Sequence, residues 1–148
     1  MSLQKKVMEQ MKVAMKAKDS VALESLRAIK SALLLAQTSG TDNDFTEEDE
    51  VKLVQKLVKQ RKDSAAIFQE QGRTDLAEPE LAQVAVIEQF LPEQLTEEEI
   101  EKVVVQTIET TGANGMKDMG KVMGLVSKEL AGQADGKTIS SIVKKKLA

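Results

Sequence analysis

The 148-residue sequence has no cysteine, no histidine, no tryptophan and no tyrosine, and only three phenylalanines and two prolines. Without cysteine there are no disulfides, thiolate metal sites or sulfur nucleophiles. Without histidine there is no imidazole ligand and no histidine general base. No metal and no cofactor is therefore expected. Most hydrolytic machinery is also excluded. Runs of the ~18 apolar residues that suggest a membrane span are missing, as is a charged-then-apolar start with a cleavage site. The expectation is a soluble, cytoplasmic protein with no membrane partner.

Apolar residues make up 41% of the chain, enough to build an ordinary core at this length. Leu, Val, Ala, Met, Glu, Lys and Gln dominate, and these are mostly the residues of packed helices. The fold class expected is all-α.

A net charge of −3 conceals an uneven distribution. Residues 1–36 carry 7 basic and 3 acidic side chains, a balance of +4, and residues 112–148 carry the same numbers. Residues 37–111 carry 7 basic and 18 acidic side chains, a balance of −11. Two basic ends flank an acidic centre.

Val7, Met8, Met11, Ala14 and Met15 recur at helical spacing, Lys18-Asp19-Ser20 interrupts with capping chemistry, and Leu23, Leu26, Ile29 and Leu33 resume the period. This predicts a helical hairpin or a kinked helix. "SGTDND" (39–44) reads as a loop. Thr46 and the acidic residues after it open a long helix with Val54, Leu57, Val58, Ala65 and Phe68 on its apolar side, ending near Gly72. The next helix is expected from about Glu80, because proline suits a first helical turn, to about Phe90, with Pro92 marking a boundary. Thr96 and Glu99 then form a capping box, with Leu95 able to staple onto Ile100, and that helix runs to about Thr111. "GANG" (112–115) is a turn. A helix with Met119, Val122, Met123, Val126 and Leu130 follows, ending at Gly132. Asp135 caps a last helix with Ile139, Ile142, Val143 and Leu147. The expected organisation is an N-terminal helical domain, 1–91, and a C-terminal three-helix bundle, 92–148.

The acidic clusters "TEEDE" (46–50) and "TEEEI" (96–100) sit in first helical turns, where carboxylates favour the positive end of the dipole, and so read as helix starts rather than metal or acid/base sites. Lys52, Lys56 and Lys59 form a stripe beside Arg61 and Lys62, but Glu48 precedes Lys52 by one turn, so a solvated face is favoured over a phosphate ridge.

The glycines of "GKVMGLVSKELAG" carry more information, since glycine inside a helix costs roughly 1 kcal/mol relative to alanine. At about 100° per residue from Gly120, Gly124 falls at ~40° and Lys117, Lys128 and Lys121 at ~60°, ~80° and ~100°. The apolar residues spread over about 200–300°. Bare backbone and three lysines thus share a face turned away from the bundle core. It would suit a close visitor, either a helix of the N-terminal half or a nucleic-acid backbone. Gly136 and Lys137 add a helix N-terminus suited to phosphate.

At these residues the chain resembles the YqeY-like proteins, which are similar to the tail of the B subunit of the glutamine-dependent aspartyl/glutamyl-tRNA amidotransferase. The matching words are "AMKAKD", "LESLRAIKSAL", "KLVKQRKDSAAIF", "GRTDLAEPE", "FLPEQLTEEEI", "MGKVMG" and "GQADGKTISSIVKKKL", in the family order across nearly the whole chain. The resemblance implies two all-helical parts and a tail that holds tRNA without catalysing. It places Gly120, Lys121 and Gly124, with Gly136 and Lys137, on a tRNA-contacting surface, which Lys117 and Lys128 join by the wheel. Aromatic platforms are scarce, so recognition would be of shape and phosphate. The expected function is a non-catalytic tRNA-binding accessory protein, with amidotransferase or synthetase proteins as further partners. Two alternatives stay open: a helical protein-interaction adaptor, and a carbon–nitrogen ligase, with glutamine as amide donor, active only within a larger complex.

Overall fold

The computed structural model describes residues 2–39 and 45–148. Among these are seven α-helices and no strand: α1 Leu3–Ala17, α2 Ser20–Ser39, α3 Glu47–Glu70, α4 Thr74–Ile87, α5 Glu97–Thr111, α6 Met119–Glu129 and α7 Gly136–Leu147. The all-α class is thus the observed one. Apart from Ser39, the loop expected at 39–44 lies outside the described residues. The chain divides into two compact units, Met1–Leu91 and Pro92–Ala148.

In the first unit α1 and α2 form a hairpin. The chain reverses through Lys18, at φ 55°, and Asp19, whose carboxylate accepts from the Ala22 amide at 3.0 Å to cap α2. Leu3, Val7, Ala14, Leu26, Ile29 and Leu33 bury against Val54 and Val58 of α3 and Val84 and Ile87 of α4. Met8 and Met15, expected on the apolar side of α1, are instead 44% and 52% exposed. The core takes the narrower stripe of Leu3, Val7 and Ala14, leaving these two methionines at its margin.

Helix α3 begins with a capping box in which Thr46 and Asp49 satisfy each other's backbone amides, and it ends at Gly72, where φ is +71° and the Arg73 amide reaches back to the Phe68 carbonyl at 2.7 Å. The expected start of the next helix at Glu80 is corrected. Helix α4 starts at Thr74, because the Arg73 carbonyl already accepts from the Leu76 and Ala77 amides at 3.0 Å each. Pro79 therefore lies inside the helix. It removes the bond to the Asp75 carbonyl, and exposed Asp75 leaves that carbonyl to water. The segment Glu88–Phe90 tightens into a 3-10 turn.

In the second unit α5, α6 and α7 all pack on one another around Ile100, Val104, Val122, Val126, Leu130, Ile139, Val143 and Leu147. Thr96 and Glu99 form the capping box, and Leu95 packs against this core. Helix α5 stops at Gly112, φ +68°, and a 3-10 turn, Met116–Asp118, leads into α6. The bounds of α5 and the start of α7 match the helical period and punctuation of the sequence, whereas α6 ends at Glu129, three residues before the expected Gly132. No helix among the described residues is long and apolar enough to cross a membrane.

Candidate nucleic-acid interface

Val122 and Val126 are fully buried on the core side of α6, and Met119 and Met123 pack beside them. The 100° turn of the helix then sends Gly120, Lys121, Gly124 and Lys128 outward, and all four are exposed, as is Lys117 on the leading 3-10 turn. A Cβ placed on Gly120 or Gly124 would meet no heavy atom within 4 Å. The glycines therefore relieve no crowding within the bundle. Their backbone is open, and a rigid partner could approach it more closely than any other residue type would allow.

Lys117, Lys121 and Lys128 form no ion pair with any described residue. Their acidic neighbours in sequence are Asp118 and Glu129. The Asp118 carboxylate accepts from the Asn114 amide at 2.8 Å, bracing the turn before the helix, and Glu129 falls at ~180° from Gly120 on the helical wheel, away from the glycine face. The α3 lysines are held differently. Lys52 pairs with Glu48 at 3.2 Å, Lys59 with Asp63 at 2.9 Å and Lys62 with Glu88 at 3.2 Å, and Arg61 donates to Gln83 and to the Leu57 carbonyl. Three of the five α3 cations are thus paired with carboxylates, whereas no described carboxylate pairs with the lysines of the α6 face.

Gly136 and Lys137 are exposed at the start of α7, but the Asp135 carboxylate already accepts from the Thr138 amide at 2.6 Å. An anion arriving there meets that charge, which offsets the attraction of the helix terminus. Lys137 also faces another way from the α6 lysines. It lines a cleft of about 350 Å³ between α5 and α7, together with Glu97, Glu101, Thr138, Ser141, Lys145 and Lys146, and no α6 residue takes part. The structure therefore gathers Lys117, Gly120, Lys121, Gly124 and Lys128 on one face and sets Lys137 in a separate groove of mixed charge. The groove was legible as the four-residue spacing of Lys137, Ser141 and Lys145, but not the carboxylates opposite.

Within that groove Lys146 pairs with Glu101 across the two helices. The hydrogen bond from Lys146, then its charge, hold the Glu101 carboxyl below the usual carboxylate range, with a smaller contribution from the Lys145 charge. No group of three or more acidic side chains among the described residues is arranged to hold a metal ion.

Comparison with known proteins gives a family match to the YqeY-like proteins over residues 4–147. The E subunit of a glutamyl-tRNA(Gln) amidotransferase from Thermococcus gammatolerans is 34% identical over 104 residues, 68% of this chain and 17% of its own length. Its counterpart from Thermococcus sibiricus is 30% identical over 91% of this chain and 22% of its own length. A mitochondrial protein of Kluyveromyces lactis named altered inheritance of mitochondria protein 41 is 30% identical over 92% of this chain and 71% of its own. The chain thus spans under a quarter of the two amidotransferase relatives and most of the fungal one.

Proposed function

The chain belongs to the YqeY-like family, and from that premise we propose that it is a non-catalytic accessory protein that binds tRNA through the outer face of α6. The observation that carries this reading is the open Gly120–Gly124 backbone flanked by unpaired Lys117, Lys121 and Lys128. A sugar-phosphate strand can lie against bare helix backbone while ammonium groups on either side meet its phosphates. Kinship to components of a tRNA-dependent amidotransferase makes tRNA the natural polyanion. Gly136 and Lys137 lie apart from this face, at the α7 start, and in this reading would meet a second stretch of the tRNA rather than extend the α6 surface. The partners in this reading are tRNA and the amidotransferase or synthetase proteins that handle it, and the location is the cytoplasm.

The test is tRNA affinity as a function of salt. Each phosphate contact adds about 0.9 to the slope of log affinity against log salt on duplex and about 0.7 on single strands. Lys121→Ala with Lys128→Ala should lower the slope by roughly one to two units. Gly120→Ala with Gly124→Ala should weaken binding while leaving the slope nearly intact, because it holds the backbone away without removing charge. Absence of tRNA binding by the unaltered protein at low salt would sink the reading.

An adaptor reading draws support from Met116 and Leu125, 45% and 44% exposed beside the same face, which a partner helix could cover. Such docking would be nearly insensitive to salt. In the tRNA reading, carbon–nitrogen ligase chemistry belongs to the larger enzyme. The isolated protein then leaves Glu-tRNA unchanged in the presence of glutamine and ATP, and any effect on transamidation requires the amidotransferase.

A further inference from the structure

The cations of this protein fall into two populations. Those of residues 47–91 are mostly paired: Lys52, Lys59, Lys62 and Arg73 each hold a carboxylate within 2.9–3.2 Å. Those of α1 are not. Among the described residues Lys5, Lys6, Lys12 and Lys16 form no ion pair, and Glu9 is the single acidic residue of the helix.

The unpaired lysines of α1 are also ordered. At about 100° per residue, Leu3, Val7 and Ala14 lie within ~40° of one another, and Lys5, Lys12 and Lys16 lie within a second ~40° sector centred ~180° away. The first three are buried in the core and the second three are exposed. The lysine row therefore points straight out from the unit, with exposed Met8 and Met15 along one margin and Glu9 along the other.

We infer that this Lys5–Lys12–Lys16 face is a second phosphate-contacting surface, which binds an RNA backbone independently of α6. The inference rests on the tRNA reading above. Residues 1–36 carry a balance of +4, so the row is not cancelled by its surroundings in sequence as the α3 stripe is. An anionic bilayer is the rival occupant, and the burial pattern disfavours it. An interfacial helix inserts a broad apolar face, whereas the apolar face of α1 packs into the core, and the exposed apolar residues near the lysines are split, Met8 and Met15 on one side of the row and Val13 on the other.

The experiment uses the full chain and unfractionated tRNA between 50 and 200 mM salt. The variant is Lys5→Ala with Lys12→Ala and Lys16→Ala. Its control is Lys52→Ala with Lys59→Ala and Lys62→Ala, which changes net charge equally but removes paired cations. If each α1 lysine meets a phosphate, the slope of log affinity against log salt should fall by about 2.1 to 2.7 units. Over that salt range the unaltered protein then loses about 20- to 40-fold more affinity than the variant. The control should keep the original slope, and replacing the three α1 lysines by arginine should restore it. Helical circular dichroism of every variant should match the unaltered protein. A slope unchanged in the α1 variant, or lowered equally in the control, overturns the inference and leaves the α6 reading intact. Failure of the unaltered protein to bind tRNA at any salt overturns both. Binding to phosphatidylserine vesicles that is lost in the α1 variant, with tRNA binding unaffected, assigns the row to lipid and also overturns it.

Discussion

The Leu95 amide donates to the Gln133 carbonyl at 2.9 Å, so the residue before the Thr96 cap of α5 is bonded to the loop joining α6 to α7. Beside it, the Gln94 Nε2 amide donates to the Gly132 carbonyl at 2.7 Å, across 38 residues, and to the Pro92 carbonyl at 2.7 Å. Gly132 is buried at φ +79°, a conformation that presents its carbonyl to Gln94 at little steric cost. These bonds tie the start of the second unit to its far turn.

Gln94→Ala should therefore destabilise the second unit by about 0.5–1.5 kcal/mol, the ordinary value of such hydrogen bonds. Hydrogen exchange gives the local check, because the Leu95 amide should exchange faster. Unaltered protection at Leu95 would mean that the side chain does not brace the turn.

Each capping box should contribute by itself. Thr96→Ala and Thr46→Ala remove hydroxyls that accept from the Glu99 and Asp49 amides at 3.2 and 3.1 Å, and each should cost about 1 kcal/mol. Urea denaturation of the two variants and the double variant reads this directly. The boxes lie in different compact units, so the costs should be additive.

The two classes of glycine should respond in opposite ways to alanine. Gly120 and Gly124 have helical backbone and open space at Cβ, so Gly124→Ala should stabilise by up to ~1 kcal/mol and Gly120→Ala by less, since it lies in the first turn. Gly112 and Gly115 also have open space, but their φ of +68° and +78° should make alanine destabilising. Loss of stability on Gly124→Ala in thermal melts would reveal a close neighbour of that face.

Acid should weaken the α5–α7 contact as Glu101 is protonated. The folded-state value of Glu101 lies below its unfolded value, so its contribution is present above the unfolded carboxylate range near about pH 4.3 and is lost as pH falls through the lower folded value. Asp49 and Asp75 shift the same way, through the Thr46 backbone and hydroxyl bonds and the Arg73 guanidinium respectively. Stability measured from pH 7 to pH 3 should fall below pH 5, and Glu101→Gln should make that fall shallower. An identical acid limb in the variant would show that the pair with Lys146 does not couple folding to pH.

Much of this protein was determined by the sequence alone, because the forces concerned act over one or two helical turns. Helical period, the Thr96–Glu99 box and the stops at Gly72 and Gly112 need only neighbours in the chain, as does the Glu48–Lys52 pair. The period also directed the α6 lysines away from the core. Pro79 misled because its usual place in a first turn is a preference, overridden once the Arg73 carbonyl had gathered the amides that start α4. Tertiary structure decided what depends on residues far apart. It left Met8 and Met15 outside a core that Leu3, Val7 and Ala14 filled, and it set Lys137 in a groove opposite Glu97 and Glu101. It gave Lys62 and Lys146 carboxylate partners on other helices while leaving Lys121 and Lys128 without any among the described residues. A lysine's charge is written in the sequence, but whether that charge is already spent depends on which carboxylates the packed helices bring within reach.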